Sequence, residues 1–413
     1  MFTDEYLDGM RSCGDPLADE VVEDFERVAG VEDPRYLVQR LIAHQRELPP
    51  ADQVLSVRAY FEQPPEIPAW VDVELLRRGQ RFFNMFGVHI ASALFCASLP
   101  MSYTAADGAQ VLTHTMALVS DTRRRLAQTG EMLLDVMGAN DASGSHPFAP
   151  GTSSFRAPHG VRLFHAAVRR MLRGDPSYDR STLGEPVNQE DLLGTLLAFT
   201  VVVIEALERF GVQLDEQDRD SYVHLWLTAG ALLGIHPENL LSRRTDAAVP
   251  LRWDELVELR DVIARRNAAS SESGRVLMRA LLDEEREALP FPLKGLPRAC
   301  TRQLIGDEYS AYLDVPPAGW TRVLLRPLPL VNRTVFGRVY YDLAGWLFAK
   351  LTRCLYRSWI SRASQPGPHP WRYKPVVTTW KLEPLHTRAW RCARHPVATR
   401  RERCASGSAF GAR

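Results

Sequence analysis

Two stretches of helical period carry strong polar groups on faces that otherwise read as core. In RRRLAQTGEMLLDVM at 123–137, Arg125, Thr129, Met132 and Val136 recur at i, i+4, i+7 and i+11, which a helix turns into one stripe. In VRLFHAAVRRML at 161–172, Arg162, His165 and Arg169 recur at i, i+3 and i+7, with Ala166 and Ala167 next to the histidine in sequence. A guanidinium left unpaired on a core face costs about 3 to 5 kcal/mol, by comparison with a broken buried ion pair, so an anion or polarised oxygen belongs near it. A lone imidazole can ligate a metal, arginines can pair carboxylates, and small neighbours let something flat approach the ring. A haem, with iron for the histidine and propionates for the arginines, is one occupant of such a face. The same residues also fit a hydrogen-bonded core histidine, solvated arginines, an interhelical salt bridge and a threonine hydroxyl bonded back to its own helix. Spacing leaves both readings open.

The elements that position these residues are helical. Apolar residues at mixed three- and four-residue spacing predict helices over 18–29, 34–46, 52–62, 70–96, 109–137, 161–173, 188–210, 215–233, 253–266, 272–288 and 335–362, and strand-like alternation is scarce. Pro-rich joints at 49–50, 64–68 and 290–297 and Gly/Ser/Pro loops at 138–160, 174–187 and 364–370 punctuate the pattern. Asn188, followed by Glu190 and Asp191, reads as an N-cap with an acidic first turn. Tyr222, Trp226, Gly230 and Gly234 fall at four-residue intervals, a ridge ending in two residues without side chains that admits a neighbouring helix or a cofactor. No repeat of a solenoid period is evident.

The chain of 413 residues, 45% of them hydrophobic, is long enough to enclose a pocket. Fifty basic and fifty acidic residues cancel overall, but residues 364–413 carry +8 and residues 1–363 carry −8. Cysteines at 13, 96, 300, 354, 392 and 404 form no CxxC pair, so zinc-ribbon and disulfide-scaffold readings lack support and reduced thiols are expected. The N-terminus MFTDEYLDGMRSCGDP has acidic residues where an export signal has a basic region and an apolar run. The apolar runs at 85–101 and 192–207 fall short of about 18 uninterrupted apolar residues and read as buried core helices. A soluble, cytoplasmic protein is therefore expected. After Pro370 the Arg-, Trp- and Pro-rich sequence loses its apolar period and reads as a disordered, solvated extension; its basic and aromatic residues could touch anionic lipid at a membrane surface or RNA, with no nucleic-acid fold signature beside them.

An ordered series of segments resembles the haem-dependent oxygenase family that includes rubber oxygenase (latex-clearing protein) and the MpaB-type oxygenase. The segments are GDPLADEVV at 14–22, WVDVELLRRGQRFF at 70–83, SLPMSYTAADGAQVLTHT at 98–115, RRLAQT at 124–129, VRLFHAAVRR at 161–170, PVNQEDLLGTLLAF at 186–199, YVHLWLTAGALLGI at 222–235 and LPRACTRQLIGDEYSAYLDVPP at 296–317. The resemblance implies an all-α, single large helical domain with a globin-like haem-binding core over 1–363, followed by a tail at 364–413. It implies haem b as cofactor, His165 as axial ligand of the iron, and Arg125 and Thr129 on the oxygen-handling side. Arg162 and Arg169 are then candidate propionate partners. Dioxygen and an apolar, isoprenoid-like molecule are the implied substrates. Two departures separate the chain from rubber-cleaving members. Gln128 stands where they have a lysine, and a glutamate they carry one helix earlier falls on Ala109, with Gln110 beside it.

Other chemistries are poorly matched. The acidic run DEERE at 283–287 lacks the DDxxD spacing of a terpenoid synthase and reads as a solvated face. The one ExxH match, Glu383 with His386, contains Pro384, which argues against a di-iron bundle. No GxSxG or nucleotide-binding glycine loop lies in a strand–turn–helix setting. His89, His114 and His224 fall in core helices, and His159, beside Pro158 and Gly160 in the predicted loop, is the main rival to His165. A non-catalytic haem or hydrophobic-ligand carrier or sensor is the principal alternative function, and a lipid-surface protein acting through the basic tail is a third.

Overall fold

The computed structural model of the chain describes residues 2–30, 55–62, 67–116, 122–141, 144–245, 247–334, 350, 354 and 356–357. The predicted helix at 34–46, most of that at 335–362 and the tail at 364–413 lie outside them. In chain order the helices are α1 (Asp4–Arg11), α2 (Pro16–Ala29), α3 (Leu55–Glu62), α4 (Val73–Ala93), a π-helical turn (Leu94–Ser98), α5 (Leu99–Thr104), α6 (Ala106–Met116), α7 (Thr122–Val136), α8 (Ser153–Arg173) and α9 (Arg180–Leu183). They continue with α10 (Gln189–Phe199), α11 (Val201–Arg209), α12 (Glu216–Leu232), α13 (Trp253–Asn267), α14 (Glu272–Ala288), α15 (Leu296–Tyr312), α16 (Arg322–Leu325) and α17 (Leu328–Thr334). The expected all-α class holds: among the described residues there is no strand, only the isolated bridges Ala105–Ala268 and Leu241–Pro250.

Polar caps set where these helices begin. Thr152, Asn188 and Asp215 each accept a hydrogen bond from the backbone N–H three residues on, at the starts of α8, α10 and α12. The main core is built around α4 and α12, which approach so closely at Gly79 that a Cβ there would stand 2.6 Å from the Ser221 carbonyl oxygen. Leu76, Phe83 and Ile90 of α4 and Leu225 and Trp226 of α12 are fully buried in that core, each contributing about 1.5 to 3 kcal/mol by removal from water. A smaller core joins Val22 and Phe25 of α2, Val57 of α3, and Leu163, Ala166 and Leu172 of α8. Thus α8 is held by α2 and also packs on α7 and α12.

Three departures from the sequence expectations matter for the site. The predicted loop over 138–160 ends early, because α8 starts at Ser153 and runs through Pro158. Its first turn is fixed by Asp141, which accepts from Ser153 N (2.5 Å), Ser153 Oγ (2.7 Å) and Ser154 Oγ (2.7 Å), a tertiary anchor that outweighs the bond lost at the proline. The predicted helix over 188–210 breaks at Thr200 (φ −107°, ψ −81°), whose hydroxyl bonds Leu196 O at 2.9 Å. The predicted 70–96 helix instead extends through the π turn to Thr104, a run long and apolar enough to cross a membrane, although 56% of its most apolar window is buried inside the protein. Outside the predicted pattern lie α1, which is short, and α15, which is kinked at Gly306 (φ 83°).

Candidate active site

The α5, α6, α7, α8, α10 and α13 helices enclose a cavity of about 1040 Å³. From α7 it is lined by Arg125, Gln128, Thr129, Met132 and Asp135; from α8 by Ala157, Val161, Phe164, His165 and Val168. The histidine and the Arg125–Thr129 wall therefore share one cavity.

His165 Nδ1 is buried and has no hydrogen-bond partner among the described residues. Burial, reinforced by the Arg169 cation, pulls its pKa down to about 4, which keeps the imidazole neutral with a lone pair free for a metal. The rival His159 lies on α8, not in a loop. It stacks with Tyr60 at 5.2 Å, sets Nδ1 3.4 Å from Leu232 O, and does not line the cavity. His224 accepts from Asp72 N at 2.8 Å, His114 bonds Gln110 O at 2.8 Å, and His89 is likewise absent from the cavity wall.

Arg162 and Arg169, expected to face the ligand, do not line the cavity. Arg162 forks onto Asp15, with Nε 2.5 Å from Oδ2 and Nη2 2.7 Å from Oδ1, and Arg169 donates to Asp19 Oδ1 and Val187 O, both at 2.8 Å. The reason is angular. At 100° per residue both arginines sit on one flank of His165, turned to α2, while Val161 and Val168 sit on the other, turned to the cavity. Ala166 and Ala167 are also buried in the smaller core, so the residues flanking the ring on the cavity side are Val161, Phe164 and Val168.

On α7, Arg125 Nη1 is buried with no hydrogen-bond partner among the described residues, and Tyr103 lies within hydrogen-bonding reach of the guanidinium. The Thr129 hydroxyl donates back to Arg125 O at 3.1 Å, leaving its lone pairs but not its proton for a ligand. Val136, assigned to the same stripe, turns into the main core. Behind Tyr103, Glu285 overturns the solvated reading of the 283–287 run: its carboxyl is buried 3.6 Å from Cys96 Sγ, and burial holds its pKa well above the usual carboxylate range. Glu284 and Glu287 of that run pair with Arg123.

The expected ridge on α12 divides. Gly230 makes room for the Leu196 side chain, ordinary helix packing, and Gly234, at φ 93° beyond the helix end, admits the Asp15–Arg162 pair. Trp226 lines the cavity.

One cavity carboxylate escaped the sequence reading. Asn188 caps α10 as expected, accepting from Asp191 N at 2.9 Å, but the Asp191 side chain also faces the cavity. Burial, with Glu190 and Asp107 adding to it and Arg11 and Asn188 opposing, lifts its pKa to about 7. The signal was present: Asp191, Gly194, Thr195 and Ala198 share one stripe and all line the cavity, a polar head on a core face of the same kind that singled out Arg125. Among the described residues no three His, Cys, Asp or Glu side chains group as a metal site, so an iron here would need its remaining ligands from a cofactor.

Comparison with known proteins gives concordant matches. The family described as ER-bound oxygenase mpaB/B'/Rubber oxygenase, catalytic domain, matches residues 76–335. A rubber oxygenase of Streptomyces sp. (strain K30) is 26% identical over 264 residues, 62% of this chain and 58% of the relative, so the chain spans less than two thirds of that relative's length. A solved structure of latex clearing protein LCP in the closed state superposes with a TM-score of 0.62 at 21% identity, covering 85% of this chain and 91% of that one, a likeness of fold.

Proposed function

This chain belongs to the ER-bound oxygenase mpaB/B'/rubber oxygenase family, and from that membership we propose that it is a haem b-dependent oxygenase acting with dioxygen on an apolar, unsaturated, isoprenoid-like substrate. The observation that carries the reading is the convergence of His165 and Arg125 on one cavity, each with a buried nitrogen that has no hydrogen-bond partner among the described residues. Such orphaned groups are costly unless a ligand completes them. A haem fits this set, since it brings its own equatorial ligands and needs one neutral imidazole from the protein.

When bound, the haem would supply dioxygen activation. His165 would hold the iron through its neutral ring. Arg125 would direct an N–H donor toward the oxygen-handling side, where developing negative charge needs one. Gln128, without charge, can donate or accept beside it. Arg162 and Arg169 are committed to α2, and Arg156 lines the cavity from the first half of α8. Leu112, Leu192, Leu196, Leu197 and Ile263 would bind the apolar substrate and exclude water.

The test is an absorption spectrum of haem-supplied protein beside His165→Ala. A Soret band in the wild type that disappears in the variant is expected. A band that survives the substitution rejects the ligand assignment, and no band in the wild type rejects the cofactor. Neutral Gln128 and the fully buried Ala109 favour a second reading, a non-catalytic haem or hydrophobic-ligand binder. Oxygen uptake with an added polyunsaturated isoprenoid separates the two, since full haem occupancy without turnover would select the binder.

A further inference from the structure

The cavity is apolar along most of its wall, yet one end gathers Asp191, Glu190 and Asn267. Nearly every polar atom there is already committed. Glu190 accepts from Arg11 Nε at 2.9 Å and Asn267 Nδ2 at 2.8 Å, and forms an ion pair with Arg266, whose Nε lies 3.2 Å away. Asn267 Oδ1 takes Arg11 Nη2 at 2.5 Å. Nearby, Arg260 forks onto Glu205 at 2.7 and 2.8 Å. The hydroxyls of Thr104, Thr115 and Thr195 donate to carbonyls of their own helices.

Asp191 is the exception. Its Oδ2 accepts from Asn188 Nδ2 at 2.9 Å, while Oδ1 has no hydrogen bond among the described residues. Gly108 of α6 keeps that oxygen clear, because a Cβ there would stand 3.3 Å from it. From Oδ1 the wall continues down α10 through Gly194 and Ala198 to Val202 and Trp226, an apolar track starting at a bare carboxylate oxygen.

We infer that Asp191 Oδ1 is the recognition point for a hydroxyl on an otherwise apolar ligand, which makes the substrate class an isoprenoid alcohol rather than a bare hydrocarbon. This rests on the cavity being the substrate site of the proposed oxygenase. A hydrocarbon filling the cavity would strip water from Oδ1 and return nothing, whereas a hydroxyl donates to it while its chain lies along the α10 track. The groups that face this carboxyl are Arg11 from α1, Asp107 from α6, and Glu190 and Asn188 at the start of α10. None of them closes Oδ1.

The test measures equilibrium binding of farnesol and of farnesene to the protein as purified, by isothermal titration. At about pH 8.5, where the Asp191 carboxyl is ionised, wild type is expected to bind the alcohol about 10- to 100-fold more tightly, the ratio of one hydrogen bond to a charged acceptor. Asp191→Leu removes the acceptor, and Gly108→Ala shields Oδ1 while leaving its charge in place and suiting a helix. Each should collapse the ratio toward one, and should Asp191→Leu fail to fold, the Gly108 variant decides alone. Equal affinities in wild type, a ratio unchanged in the variants, or no binding of either ligand overturns the inference. Because binding is read without turnover, failure here leaves the Soret test of the oxygenase reading untouched, and a missing Soret band leaves the binding ratio standing.

Discussion

The sharpest quantitative test concerns Arg162, which sequence spacing offers to a propionate and the structure gives to Asp15. The pair is bidentate, at 2.5 and 2.7 Å, with Arg162 9% and Asp15 2% exposed. Asp15 also caps α2 by accepting from Ala18 N, a task asparagine performs equally well, so Asp15→Asn isolates the loss of charge. An uncompensated buried guanidinium costs about 3 to 5 kcal/mol, and Arg162→Met should cost a similar amount by stranding the carboxylate. The double variant Asp15→Asn, Arg162→Met strands no charge, so its cost should fall short of the summed singles by at least about 2 kcal/mol. Urea unfolding followed by circular dichroism, with retention of the proposed haem measured on the same samples, gives both readouts. Two results would refute the assignment: an Asp15→Asn cost below about 1 kcal/mol, or a double variant that recovers stability but loses haem.

Three further outcomes follow from packing, titration and capping. Gly79→Ala should lower stability by about 1 to 3 kcal/mol, because its Cβ meets the Ser221 carbonyl at 2.6 Å and the α4–α12 pair must separate; an unchanged thermal midpoint would sink this. His159, held near pKa 4 by burial and the Arg162 cation, takes up its proton less readily folded than unfolded. Its contribution is therefore nil above about pH 6.5 and becomes a penalty as pH falls, reaching about 3 kcal/mol near pH 4, so a His159→Phe variant should show a shallower acid limb in a stability-against-pH curve. Thr152→Ala should cost about 1 kcal/mol by uncapping α8 at Phe155 N, readable as a drop in urea midpoint at constant slope.

What was legible in the sequence is what local chemistry decides. The cap at Asn188 depends on residues three apart, and Arg125, Gln128 and Thr129 reach the cavity because they lie at adjoining positions on one face of α7. The fates of Arg162 and Arg169 were not legible, because a helical face is an arc, and on α8 that arc is split between α2 and the cavity. Nothing in the spacing of 162, 165 and 169 names Asp15 and Asp19, nearly 150 residues away, as partners. Asp191 was hidden for the opposite reason: its backbone explained its presence at a helix start, so its side chain went unasked. Glu285 looked solvated because its neighbours Glu284 and Glu287 are indeed ion-paired near the surface, while it alone turns inward.

The ion pairs along α8 do more than neutralise charge. Arg162 with Asp15, Arg169 with Asp19, Arg170 with Glu26 and Arg173 with Asp19 and Glu185 recur along one flank, and three of those acids belong to α2 or its cap. Leucines and alanines alone tolerate a helix rolling about its axis, since apolar contact is nondirectional. A row of forked, directional bonds does not. The roll of α8 decides whether His165 meets the cavity or the smaller core, because neighbouring positions on the helix differ by 100°. Replacing both inner pairs by uncharged residues of similar size, Asp15→Asn with Arg162→Met and Asp19→Leu with Arg169→Met, should then preserve helical content while loosening the aim of the ring. The measurement is the imidazole nitrogen spectrum of labelled His165 in each protein. Broadened or doubled resonances in the variant are expected, and one sharp set identical to wild type would show that packing alone fixes the roll.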